Sequence, residues 1–127
     1  MLACEPVAGW RIIADPEALD AATWPHGALA IRISPDDAFV ISADEPVVDD
    51  PHAIITPEHG FNGIELDIDQ IAIIAERHIE WSLPSASPAL AQGQIAGVPA
   101  KLVLRADGTA LLLVATAAHY ELLERLS

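Results

Sequence analysis

Hydrophobic positions in this chain come in short runs broken by proline, glycine or acid, and each run keeps either a strand or a helix period. Trp10 to Ala14 is the first, with β-branched Ile12 and Ile13, and reads as a strand. It stops at Asp15-Pro16-Glu17, which together mark a helix start. Asp15 can cap free amides, Pro16 suits the first helical position, and Glu17 opposes the positive end of the helix dipole. Pro25 predicts that this helix stops just after Trp24. Gly27 to Ser34 then alternates, with Leu29, Ile31 and Ile33 on one face and Arg32 on the other. Pro35-Asp36-Asp37 is a turn and Phe39-Val40-Ile41 the return strand, so the segment predicts a hairpin.

The acidic, proline-bearing stretch from Asp44 to Pro51 reads as a surface connection. Ala53-Ile54-Ile55-Thr56 restarts as a strand, Pro57 to Gly60 turns, and Ile64-Glu65-Leu66-Asp67-Ile68 alternates with both acids outward, which predicts a second hairpin. A helix follows from about Asp69, with Ile71, Ile74, Ala75 and His78 on its apolar face. Pro84 to Pro88 is a loop. Gln94 to Val98 and Ala100 to Leu104 look extended around Gly97 and Pro99, and Ala106-Asp107-Gly108 turns the chain into Thr109 to Val114. Thr116 can cap a last helix whose Tyr120, Leu123 and Leu126 face inward. The pattern predicts an α+β fold: an antiparallel sheet built from hairpins with about three helices packed against it. The two halves share a loose strand-plus-helix pattern, with no repeat at the level of residues.

Length changes the picture little: 127 residues suit a single domain, 1–127. Charge changes it more. Nineteen acids against six Lys and Arg give a net charge of -13, and Lys101 is the single lysine. That balance excludes nucleic acid, whose binding needs clustered cations to displace counterions, and it argues against anionic membrane surfaces. The longest low-polarity stretch, Ala110 to Ala118, is far shorter than the ~20 residues that span a bilayer. No basic start leads into an apolar segment as a secretory signal would, and the one cysteine, Cys4, cannot form an internal disulfide. The expectation is a cytoplasmic protein kept in solution by its negative charge.

From Gly27 onward the order of landmarks resembles the gamma subunit family of heterotetrameric sarcosine oxidase. The residues that carry this are Ala30-Ile31-Arg32-Ile33-Ser34-Pro35-Asp36-Asp37, then Glu58-His59, Gly63-Ile64-Glu65-Leu66, and Gly93-Gln94-Ile95-Ala96-Gly97-Val98-Pro99-Ala100-Lys101-Leu102-Val103-Leu104-Arg105 before a terminal helix. That family is similar in fold to the folate-binding domain of aminomethyltransferases. The resemblance implies an accessory subunit that holds no cofactor and associates with larger flavoprotein oxidase subunits. These motifs are turns and strand starts, and no aminomethyltransferase catalytic residue falls on a matching position.

Candidate chemistry is sparse. Asp49, Asp50, His52, Glu58 and His59 form the densest group of metal-ligating types, but their spacing matches no familiar ligand set. The plainer reading, a solvated acidic connection with two surface histidines, is the one taken, with no metal assigned. His78 and His119 read as core-edge or capping residues. Cys4 lacks a basic neighbour to lower its pKa. The serines Ser34, Ser42, Ser82, Ser85 and Ser87 sit in no nucleophile elbow, the glycines Gly60, Gly63, Gly93 and Gly97 form no phosphate loop, and Lys101 reads as a solvent-facing strand residue. Trp10, Trp24 and Trp81 could stack on a flat ring while Arg32 or Arg105 pairs with its carboxylate tail.

These readings converge on a non-catalytic domain with no cofactor, acting by protein association, with Trp81 at the end of the central helix as interface anchor. The alternative is a stand-alone binding module for a folate or similar aromatic carboxylate. Enzymatic aminomethyl transfer comes last, because no acid or base is placed for it. The apolar richness leaves room for a homodimer.

Overall fold

A computed structural model describes residues 2–127. The chain is α+β, with seven strands and three α-helices among the described residues. In chain order these are β1 (Cys4–Ile13), α1 (Pro16–Ala21), β2 (Leu29–Ser34), β3 (Asp37–Ile41), β4 (Ile54–Leu66), α2 (Ile68–His78), β5 (Ala89–Ile95), β6 (Val98–Leu104), β7 (Ala110–Ala115) and α3 (His119–Leu126). The hydrogen-bonded strand order is β2-β3-β1-β4-β7-β6-β5, and β1–β3, β2–β3, β4–β7, β5–β6 and β6–β7 pair antiparallel. The chain divides into two compact units, Val7–His59 and the residues up to Pro6 together with Gly60–Ser127, so the boundaries fall inside β1 and β4.

The Val7–His59 unit follows the sequence pattern closely. Asp15 caps α1 by accepting from the Glu17 amide at 3.0 Å, and a proline stands in the first turn. The helix ends at Ala21, three residues before Trp24, and Ala22 is already extended. Leu19 packs from α1 onto Ile12, Ala38 and Val40, while Ile31 and Phe39 bury as a cross-strand pair on the alternate face. Arg11 of β1 is clamped by two carboxylates: Asp37 takes Nε and Nη2 at 2.6 and 2.7 Å, and Glu58 takes Nη1 at 2.9 Å. These bonds hold the guanidinium pKa above its ordinary value despite partial burial.

The Gly60–Ser127 unit has its core on one face of β4, β7, β6 and β5. Ile64, Leu112, Leu102 and Ala91 line up across the four strands in register. Ile74 of α2 and Leu122 of α3 cover them. Asp67 and Gln70 form a reciprocal capping box at the start of α2, with bonds of 2.8 and 2.9 Å.

The expected second hairpin is absent. Residues 54–66 form one continuous strand, and Glu58-His59 lie within it. A reversal through Pro57 to Gly60 would favour a glycine at positive φ, yet the positive-φ glycines are Gly27, Gly97 and Gly108. Gly60 is therefore a strand residue, and Pro57 lies outside the part of β4 that pairs with β7. Conversely, the extended stretch expected at 94–98 is a hairpin end. The strand is β5, which began at Ala89, and Ala96-Gly97 is its two-residue turn with φ of 51° and 77°. Ile68 starts α2 instead of ending the preceding strand. Thr116 does not cap α3: it opens a 3-10 turn and donates its hydroxyl to Asn62 Oδ1 at 2.7 Å. Of the residues expected to face inward from α3, Leu123 and Leu126 pack on the core beside the fully buried Leu122, whereas Tyr120 is 78% exposed.

The halves also share a topology that no residue repeat announced. In each, a strand leads to a helix and then to an antiparallel run whose last strand returns beside the first: the hairpin β2–β3 puts β3 beside β1, and the three-strand meander β5–β6–β7 puts β7 beside β4.

Replacing Arg11 with Ala leaves two carboxylates facing each other without their shared donor. The expected cost is about 2 kcal/mol, read from urea denaturation, and larger than that of Glu58→Gln, which leaves the Asp37 fork intact.

Candidate functional site

Trp81 follows α2, on the segment that crosses the outer edge of β5. Its indole Nε1 donates to the carbonyl of Gln94 at 2.8 Å. The ring lies flat enough against Gly93 that a Cβ there would come within 2.6 Å of it. Two further bonds fasten the same corner: the Ala96 amide donates to the His78 carbonyl at 2.9 Å, and Arg125 Nη1 donates to the Ala96 carbonyl at 2.8 Å. The two-residue turn makes Ile95 and Val98 the closing pair, so the Gln94 peptide faces away from β6 and toward the indole. Trp81 is half-buried and packs on the core, and it walls an open cleft of about 480 Å³ with Arg77, His78, Glu80, Gln94 and Gly97. Sequence placed Trp81 at the end of the helix; it gave no hint of the glycine platform or of the edge that the indole covers.

The other candidates are dispersed. Asp50 accepts from the Asp15 and His52 amides, both at 2.8 Å, and these bonds hold its carboxyl below the usual range. Glu58 is committed to Arg11. Among the described residues no group of three or more His, Cys, Asp and Glu side chains gathers within ligating range, so Asp49, His52 and His59 are not brought together with them. His119 Nδ1 lies 2.6 Å from the Thr116 carbonyl, and His78 contributes its carbonyl to the Ala96 bond.

The arginines expected to meet a carboxylate ligand already hold protein groups. Arg32 binds Asp20 and the carbonyls of Pro16 and Pro35, and Arg105 forks onto both oxygens of Glu65 at 2.7 and 2.9 Å. Trp24 packs on the core of the Val7–His59 unit.

Asn62 was not anticipated. It is the buried polar side chain among the described residues, 4% exposed on β4, and it accepts from Thr116. Its amide also engages Cys4, whose thiol is pushed up by burial and only partly brought back by that bond. A raised thiol is a poor nucleophile at neutral pH. The only sequence signal for this trio is an amide between Phe61 and Gly63, just before the apolar alternation of Ile64 and Leu66.

No family model, no curated protein and no solved structure matches the chain. No helix among the described residues is long and apolar enough to cross a membrane.

Two measurements probe this region. Iodoacetamide should alkylate Cys4 with a rate midpoint at higher pH than an unstructured cysteine peptide, because the protonated form persists further into the alkaline range. Gly93→Ala should displace the indole, shift the tryptophan emission and lower stability by about 1–3 kcal/mol, since the clash is with a ring wedged against backbone.

Proposed function

We propose that this chain is a non-catalytic accessory domain of the sarcosine oxidase gamma type, with a fold like the folate-binding domain of aminomethyltransferases. It acts in the cytoplasm by associating with a larger flavin-dependent oxidase subunit. The observation that carries the reading is the corner at Trp81. A half-exposed indole, already fixed by a hydrogen bond and a glycine platform, loses little freedom when a partner covers it. Tryptophan and arginine dominate binding energy where they are held in this way, and Arg77 stands beside Trp81 in the cleft. The cleft suits a protruding partner segment that brings an acidic or amide group to Arg77 and His78 and an apolar group to the ring.

The order of elements from Gly27 supports the same reading, and the commitment of Arg32 and Arg105 to carboxylates within the chain weighs against their holding the carboxylate tail of a folate-like ligand.

The test is native purification of the tagged protein from its source cells, with mass spectrometry and an absorbance scan. A stoichiometric flavoprotein that is retained by wild type and lost with Trp81→Ala and with Arg77→Glu supports the proposal. The second variant changes an exposed side chain and leaves the core intact. Recovery of the protein alone and colourless overturns association with an oxidase. A partner held equally by both variants removes Trp81 and Arg77 from the contact.

A further inference from the structure

The cleft beside Trp81 is bordered by two charges that the chain itself leaves unanswered. Of the five arginines, Arg11, Arg32, Arg105 and Arg125 each hold a carboxylate of the chain. Arg77, in the last turn of α2, is exposed and holds none among the described residues. The carbonyl end of the helix favours a cation there but offers it no anion. Glu80, just beyond the helix, likewise has no cation within ion-pair distance among the described residues. Both side chains border the cleft of about 480 Å³ together with the Trp81 ring.

Apolar surface continues past the ring. Ile73 stands one turn before Arg77 on the same side of α2 and is 48% exposed. In chain order the cation therefore lies between two apolar groups, Ile73 and Trp81. Four helical residues advance about 6 Å. Alternate residues of an extended segment, which share one face, advance about 6.6 Å. Those steps match, so an extended segment can set an acid on Arg77 and an apolar side chain two positions away on Ile73. A second apolar side chain, two positions to the other side of the acid, then meets the indole. The Glu80 carboxylate suits a peptide N–H and repels a second acid. A small carboxylate would reach Arg77 and the ring but not Ile73.

We infer that the cleft and the adjoining turn of α2 dock an extended segment of a partner protein in which a single acidic residue stands between two apolar ones, each two positions from it. The pattern rests on the reading of the Trp81 corner as an association site, but not on the partner being an oxidase.

The probe is the capped peptide Phe-Ala-Glu-Ala-Phe, symmetrical about its acid so that either chain direction is read. It is titrated at physiological ionic strength and followed by NMR at the Trp81 indole N–H, the Arg77 guanidinium and the Ile73 methyls. Saturable shifts at all three are expected. The peptide Phe-Ala-Gln-Ala-Phe should bind about threefold more weakly, the factor of an exposed ion pair. A preference for the acid runs against the chain's net charge of -13, so it reports a local cation. Arg77→Gln should erase the preference, Arg77→Lys should keep it, and Ile73→Ala should weaken both peptides alike. Were Arg77→Gln to misfold, the two peptides on wild type and on Arg77→Lys carry the test. Resonances that stay still overturn the inference, as do equal binding of the two peptides and a preference that survives Arg77→Gln. 3-Phenylpropionate bound as tightly as the acidic peptide overturns it too, because the site is then one for small carboxylates. The titration needs no oxidase. A protein purified alone and colourless that still prefers the acidic peptide removes the oxidase and keeps the docking pattern; a retained flavoprotein without that preference does the reverse.

Discussion

The hairpin turn at Ala96-Gly97 is the fixed point of the Gly60–Ser127 unit. Three otherwise separate segments close on it: the end of α2 through the His78 carbonyl, α3 through Arg125, and the segment after α2 through the indole of Trp81 on Gln94. The need behind this is general. A strand at the end of a sheet presents unpaired amides and carbonyls, which must be satisfied or they recruit another chain. Here β5 ends the strand order, and its last residues are covered by bonds from both helical segments. Each such bond is worth about 1 kcal/mol net, but together they set where the helices end relative to the sheet, and so where the cleft beside Trp81 opens.

How much of this was legible depended on whether the signal was local. Asp15-Pro16-Glu17, Pro35-Asp36 and Ala106-Asp107-Gly108 act through bonds spanning two or three residues, and each yields the element it announces. Asp107 accepts the Thr109 amide and hydroxyl, so that turn is complete within itself. Pro57 to Gly60 carries the same residue types and makes no turn. Proline and glycine are turn formers by permission only, and here strand continuation prevails. Ala96 errs in the opposite direction. Alanine is a poor residue at positive φ, and its bonds to His78 and Arg125 are long-range partners that no local window contains.

The site shows the same division. Helix periodicity locates Trp81 at a helix end, but its importance comes from Gly93, a contact twelve residues away that exists only because β5 is a strand. Asn62 and the surroundings of Lys101 are likewise products of register. Lys101 alone in a strand pattern reads as a solvated ammonium; in register it bonds Gln92 and stands 6.0 Å from the centroid of the Phe61 ring. The mixed composition of that face, two glutamines, a proline and a lysine, breaks the apolar alternation, which is why pattern reading gives it no weight.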